Sequence, residues 1–247
     1  MNDDDSIQLA PPGQFAPPEP LDFLVIAPHP DDAELGMGGT IVKMASAGHR
    51  VGILDLTTGE PTPMGSESIR RRETVAATRH LGIAWRGNAG MTNRSLENTL
   101  ENRATLAGYF RVLRPRWLFA PYWTDAHPDH TAATQLVEAA RFWSKLSKTD
   151  LPGWRYHPER IYYYYCIHLR LAIDPDVIVD ISDQWPAKQQ SIAAYHSQFV
   201  EGRTESPPLM ERFETEAKHW GYLINRRYGE PFATKEPLAV SSIRDWI

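Results

Sequence analysis

The chain has 247 residues, 42% of them hydrophobic and 23% charged, with a formal net charge of -5 at pH 7. This composition fits a folded protein with one sizeable core and excludes a phosphate-reading basic face, because the one dense cationic run is Arg70 to Arg72. A single cysteine, Cys166, cannot form an internal disulfide, and we read no basic-plus-apolar leader or long apolar span, so the expectation is a cytoplasmic protein with neither nucleic-acid nor membrane partners.

Residues 1–20 combine an acidic start, Asp3 to Asp5, with a proline-rich tract, Pro11-Pro12 and Pro17 to Pro20. Such a segment buries too little apolar surface to offset its ordering entropy, and we expect a flexible arm ahead of a single domain over 21–247. Leu24 to Ala27 is a short β-branched run that reads as a buried strand, stopped by Pro28-His29-Pro30 where each proline removes a backbone donor. Gly36 to Ala47 has helical spacing and Gly48 as a terminator. Val51 to Leu56 is a second strand, followed by a loop over Thr57 to Pro61. Ser66 caps a helix running to Leu81, where Gly82 ends it. Leu100 to Leu113 is a further helix with Pro115 beyond it, Trp117 to Ala120 a strand, and Thr131 to Leu146 the next helix. Arg160 to Ile167 and Val177 to Ile181 read as strands, Ala187 to Phe199 and Met210 to Arg226 as helices, and the tail from Pro231 as irregular. Strand and helix in alternation predict an α/β fold, a Rossmann-like doubly wound, mostly parallel sheet with helices on both faces.

Chemistry-bearing residues fall at two loops. His29, Asp31 and Asp32 stand just past the first strand, at the carboxyl end where open α/β sheets collect ligands. Clustered carboxylates repel one another unless a cation or protons intervene, which points to a metal. A second cluster, Asp125-Ala126-His127-Pro128-Asp129-His130, follows the Trp117 to Pro121 run and precedes a helical pattern, so it belongs at the same rim. Two histidines and an aspartate suit the three-ligand arrangement with one open position that catalytic zinc uses. Gly36-Met37-Gly38-Gly39 with Asp55 superficially resembles a dinucleotide fingerprint. Ile41 stands at its third glycine, however, and Asp31, Asp32 and Glu34 would repel a pyrophosphate.

Through His-Pro-Asp-Asp at 29–32 and His-Pro-Asp-His at 127–130, the chain resembles the PIG-L/LmbE family of zinc-dependent N-acetylglucosaminyl deacetylases. Asp55 to Glu60, Arg70 to Glu73, Asn93-Arg94, Phe119 to Tyr122, Tyr162 to Tyr165, Val177 to Ile181 and Tyr195 to Phe199 resemble its bacillithiol-biosynthesis branch. The resemblance implies that His29, Asp32 and His130 hold one Zn2+ per subunit, a donor set that also suits Fe2+ or another divalent metal. It implies Asp31 as general base and His127 as the group that stabilises the oxyanion or protonates the leaving amine. Asp129 is expected either to orient a nearby histidine or to cap the following helix. Arg70 and Asn93 are the expected substrate-binding residues, and Glu73 either orients Arg70 or is an ordinary helix charge. Many relatives carry aspartate where Asn93 stands, so a charged acceptor for sugar hydroxyls is lost here. His49, His80, His157, His168, His196 and His219 lack motif context and read as surface or core. The implied substrate is an acetylated amino sugar, N-acetylglucosaminyl malate, and the implied assembly a homo-oligomer, with a hexamer as one form. The alternatives are another N-acetylglucosamine or thiol conjugate, a mycothiol-type precursor included, or a metal- or nucleotide-binding module without turnover.

Overall fold

The first strand already contains the logic of the sheet. In β1 (Phe23–Ala27), Leu24 and Ile26 point into one apolar cluster while Phe23, Val25 and Ala27 point into another, all five buried. A strand buried on both faces needs helices on both faces, and the computed structural model, which describes residues 19–169 and 171–238, supplies them. The elements following β1 are α1 (Asp32–Ser46), β2 (Val51–Thr57), α2 (Glu67–Leu81), β3 (Trp85–Met91), α3 (Leu100–Leu113), β4 (Trp117–Pro121), α4 (Pro128–Ser144), β5 (Arg160–Tyr164), β6 (Val177–Asp180), α5 (Trp185–Ala193), α6 (His196–Phe199), α7 (Leu209–Leu223) and β7 (Gly229–Ala233). The arm expected over 1–20 lies, apart from Glu19 and Pro20, outside the described residues, as does the tail beyond Leu238. Among the described residues no helix is long and apolar enough to cross a membrane.

The seven strands form one sheet in the order β3-β2-β1-β4-β5-β7-β6, parallel from β3 to β5 and antiparallel where β7 pairs with β5 and β6. From β1 the chain winds outward to β2 and β3, then returns to β4 on the other side of β1. The adjacent strands β1 and β4 therefore send their following loops in opposite directions, opening the crevice in which doubly wound sheets bind ligands. On one face, Leu106, Phe110 and Leu113 of α3 and Leu136, Val137 and Ala140 of α4 complete a cluster; on the other, Ala33, Met37 and Ile41 of α1 do so.

Several expected boundaries shift for identifiable reasons. α1 begins at Asp32 rather than Gly36, and α4 at Pro128 rather than Thr131, so that both motifs contribute residues to a first helical turn. α1 is broken at Met37 (φ -151°, ψ 23°), which strips the next turn's N–H groups of intrahelical partners. Glu230 of β7 supplies acceptors, taking Gly39 N–H at 2.9 Å and Thr40 N–H at 2.6 Å, while Lys188 Nζ neutralises it at 2.6 Å. β7 begins two residues before the tail expected to be irregular from Pro231, and its last three residues lie within that tail. Its Gly-Glu-Pro-Phe-Ala sequence has little strand propensity, and its place between β5 and β6 comes from tertiary pairing. β3 escaped the sequence pattern because its buried side includes Arg86, whose guanidinium sits between Asp55 (2.9 Å) and Glu34 (2.6 Å). The single helix expected over Ala187 to Phe199 is two, separated at Ala194 and Tyr195. Close packing of α1 on the sheet is visible at Gly36, where a Cβ would lie 2.3 Å from the Tyr164 ring.

Candidate active site

A cavity of about 530 Å3 opens at the β1/β4 crevice, lined by His29, Asp31, Asp32, Arg70, Asn93, His127 and His130 among others. β1 ends at Ala27, and Pro28 to Pro30 carry the chain out of the sheet and into α1, so that His29 and Asp32 meet across one turn. Asp32 Oδ2 accepts the His29 backbone N–H at 2.9 Å and lies 3.1 Å from His29 Nδ1. From the other side, the first turn of α4 inserts His130, whose Nε2 lies 3.4 Å from Asp32 Oδ1.

Three groups of histidines and carboxylates here have ligand-type atoms close enough for a cation: His29/Asp32/His130, His29/His127/Asp129 and Asp125/His130/His168. Their hydrogen bonds separate them. The Nε2 of His29 is 3.1 Å from Asp129 Oδ2, and His130 Nδ1 is 2.8 Å from Asp125 and 3.1 Å from the Cys166 carbonyl. Each ring thus gives its outer N–H to an oxygen and turns its other nitrogen toward Asp32, the arrangement by which carboxylates orient metal-binding histidines. His130 Nε2 is buried without a hydrogen-bond partner, an arrangement that costs free energy unless a cation supplies the missing interaction. In the second group His127 is a poor ligand, because its Nδ1 accepts the Asp129 N–H at 3.2 Å and its proton must sit on Nε2. In the third, the Nδ1 atoms of His130 and His168 are both turned to Asp125. The donor set His29, Asp32 and His130 fits a divalent metal, and the other two do not.

The electrostatics agree with this assignment. Burial raises the Asp32 carboxyl, but the charges and hydrogen bonds of His130 and His29 outweigh it and hold the group well below the usual carboxylate range. Burial lowers His130, yet Asp32 and Asp125 push it up to about 10 in the metal-free protein. The His127 imidazole is lowered, by burial and then by the charges of His130 and His29, which keeps it neutral.

Asp31 occupies a different corner. Its backbone lies at φ 130°, a conformation that costs a non-glycine residue about 1–3 kcal/mol and that turns its carboxylate away from Asp32 toward Arg70. Arg70 Nη1 donates to Asp31 Oδ2 at 2.7 Å and to the Pro30 carbonyl at 2.6 Å, and its Nε donates to Glu60 at 3.3 Å. Burial raises the Asp31 carboxyl to about 7 despite this cation. Arg70, expected to face substrate, is buried and gives these donors to protein oxygens, so it fixes Asp31 while lining the cavity.

Other expected positions resolve as follows. Asp129 is 1% exposed; its oxygens take the N–H groups of Arg94 (2.8 Å) and Leu96 (3.2 Å) as well as His29. It therefore orients a histidine, and the α4 cap is His127 instead. Asn93 lines the cavity with its amide donating to the Glu60 carbonyl at 3.0 Å. Glu73 does not reach Arg70: it faces α6 and accepts Ser197 N–H (2.6 Å) and Oγ–H (2.7 Å), a tie between helices. The residue that does hold Arg70 is Glu60, which the sequence contained within a matched stretch but which nothing in its spacing singled out. His168, read as surface or core, lies at the cavity mouth with its ring 5.3 Å from His127 and 5.0 Å from His130. Asp125, its anchor, carried a legible signal only in being a carboxylate two residues before His127.

Comparison with known proteins supplies the lineage. The PIG-L family model, described as GlcNAc-PI de-N-acetylase, matches residues 24–141. The chain is 32% identical over 226 residues to the diacetylchitobiose deacetylase of Thermococcus kodakarensis, covering 84% of this chain and 80% of that protein. It is 26% identical over 215 residues to the Bacillus anthracis protein named "Probable N-acetyl-alpha-D-glucosaminyl L-malate deacetylase 2", covering 80% and 90%. The crystal structure of a conserved protein from Thermus thermophilus superposes with a TM-score of 0.82 at 39% identity, covering 89% of this chain and 97% of that one. With both motifs assembled at one crevice, the chain belongs to the PIG-L family of de-N-acetylases.

Proposed function

We propose that the protein is a zinc-dependent hydrolase that removes the acetyl group from an N-acetylglucosamine conjugate. The observation that carries this reading is a metal-type donor set and a separate, arginine-held carboxylate, Asp31, sharing one cavity. His29, Asp32 and His130 would hold the metal, which when bound supplies a Lewis acid that activates water and polarises an acetyl carbonyl. Asp31 takes a proton from the attacking water, and a carboxyl poised near neutrality can hand that proton on to the departing amine. His127, neutral with its proton on Nε2, donates a hydrogen bond to the developing oxyanion. Its committed Nδ1 and lowered basicity support that role over proton donation. Arg70 keeps the Asp31 carboxylate aimed, and Asn93 lines the wall where a sugar would lie.

For the conjugate we propose N-acetylglucosaminyl malate. Arg94, Arg203 and Arg212 line the outer part of the cavity, and guanidinium groups suit carboxylates. A neutral disaccharide, diacetylchitobiose, is the second reading, favoured by the higher identity to the Thermococcus enzyme. Acetate release by zinc-loaded protein from N-acetylglucosaminyl malate, diacetylchitobiose and N-acetylglucosamine tests both. A preference of about tenfold or more in kcat/KM for the malate conjugate is expected, which is only about 1.4 kcal/mol of differential transition-state binding. The reverse preference selects the disaccharide, and no acetate from any of the three refutes the deacetylase reading.

A further inference from the structure

We propose that Asp125 is a positioning residue that serves two imidazoles with one carboxylate: it orients His130 for the metal, and it presents His168 to the substrate at the cavity mouth. Asp125 lies in the loop between β4 and α4, its side chain 1% exposed. Its Oδ2 is 2.8 Å from His130 Nδ1 and 3.3 Å from His168 Nδ1. Its Oδ1 accepts the backbone N–H groups of His127 at 3.2 Å and His168 at 2.9 Å. The Oδ1 contact with His127 makes a turn ahead of α4 and that with His168 ties in a loop 43 residues away, and both require no more than an aspartate or asparagine. Those of Oδ2 require an acceptor facing two ring N–H donors, and a turn has no use for them.

The consequence is a matched pair of tautomers. With zinc bound, the His130 Nδ1–H lies between Asp125 Oδ2 and the Cys166 carbonyl and that of His168 faces Asp125, which leaves each ring's lone pair on Nε2. For His130 that nitrogen is the buried, unpartnered atom facing Asp32. For His168 it belongs to a ring that is half exposed and lines the cavity beside His127. An acceptor there, next to the donor of His127, complements the hydroxyl or amine N–H groups of an amino sugar. The role of His168 rests on the proposed deacetylase reading; the effect of Asp125 on the metal does not.

Asp125→Asn separates positioning from turn formation, since the amide oxygen can still serve the backbone while its NH2 opposes two ring donors. In chelator competition the variant is expected to bind Zn2+ ~10–100-fold more weakly than the wild type, and its Co2+ visible spectrum is expected to change. His168→Gln is expected to bind metal as the wild type does while raising KM for the preferred acetylated amino sugar about tenfold. Unchanged affinity and spectrum in Asp125→Asn overturn the metal half, and an unchanged KM in His168→Gln overturns the substrate half. If Asp125→Asn does not fold, 15N-histidine spectra of the zinc-loaded wild-type protein decide: Nδ1–H signals from His130 and His168 are expected, and Nε2–H tautomers overturn the proposal. A wild-type protein that binds metal but releases no acetate refutes the deacetylase reading while leaving the affinity result to stand.

Discussion

Replacing Asp31 by asparagine removes the proposed base and little else. The two side chains are nearly isosteric, so asparagine meets the backbone at φ 130° on the same terms as aspartate. Loss of a general base typically lowers kcat by about 10²–10⁴-fold, which sets the expected effect. The structural cost is smaller. The 2.7 Å bond from Arg70 loses its charge on one side, worth about 1.5–3 kcal/mol for a charged partner, though the amide oxygen retains part of it. Arg70 keeps the Pro30 carbonyl and Glu60. We therefore expect a thermal midpoint within a few degrees of the wild type and metal content unchanged, because Asp31 lies outside the metal-type donor set. Metal analysis, melting and steady-state kinetics on one preparation are the assay. A variant within about tenfold of the wild type in kcat, or one that loses its metal, refutes the role assigned to Asp31. The same carboxyl also gives a pH signature in the metal-free protein. Its pKa stands near 3.8 unfolded and about 7 folded, so between those values the native state binds more protons and stability falls as pH rises. That slope should be present in the wild type and reduced in Asp31→Asn.

Metal uptake should release protons. With its pKa pushed up to about 10, His130 is protonated in the metal-free protein near neutral pH and must be bare to bind, so calorimetry in buffers of different ionisation enthalpy should report about one proton released; none released refutes the donor set. Glu230→Gln leaves Lys188, only 6% exposed, without its countercharge and weakens the cap on the second part of α1. Breaking such a buried pair should cost about 3–5 kcal/mol in urea denaturation, and a loss below about 1 kcal/mol contradicts the pairing. Gly39→Ala, which helix propensity alone would favour by about 0.5–1 kcal/mol, should instead destabilise by about 1–3 kcal/mol. Its Cβ would lie 2.7–2.9 Å from three atoms of Ile181, and Ile181→Ala in the same chain should relieve the penalty.

Most of the parallel half of the sheet was legible in the sequence, because apolar runs such as Leu24 to Ala27 and Val51 to Leu56 leave no alternative to burial. Ser66, Gly82 and the ends of α3 were legible for the same local reason: caps and terminators act on their own neighbours. The metal-type donor set was also readable, since two short motifs at strand ends must share a rim once the sheet is parallel and doubly wound. β3 and β7 were not, because Arg86 and Glu230 are buried by charge pairing with residues far along the chain, and no local pattern encodes a distant countercharge. The sequence by itself determined the α/β class, the crevice and the candidate ligands His29, Asp32 and His130. Only the tertiary structure decided which carboxylate holds which group. Asp129 holds His29, Asp125 holds His130 and His168, Glu60 holds Arg70, and Glu73 turns away to Ser197. Such pairings depend on side-chain direction across loops from different strands, a quantity that spacing along one chain does not contain.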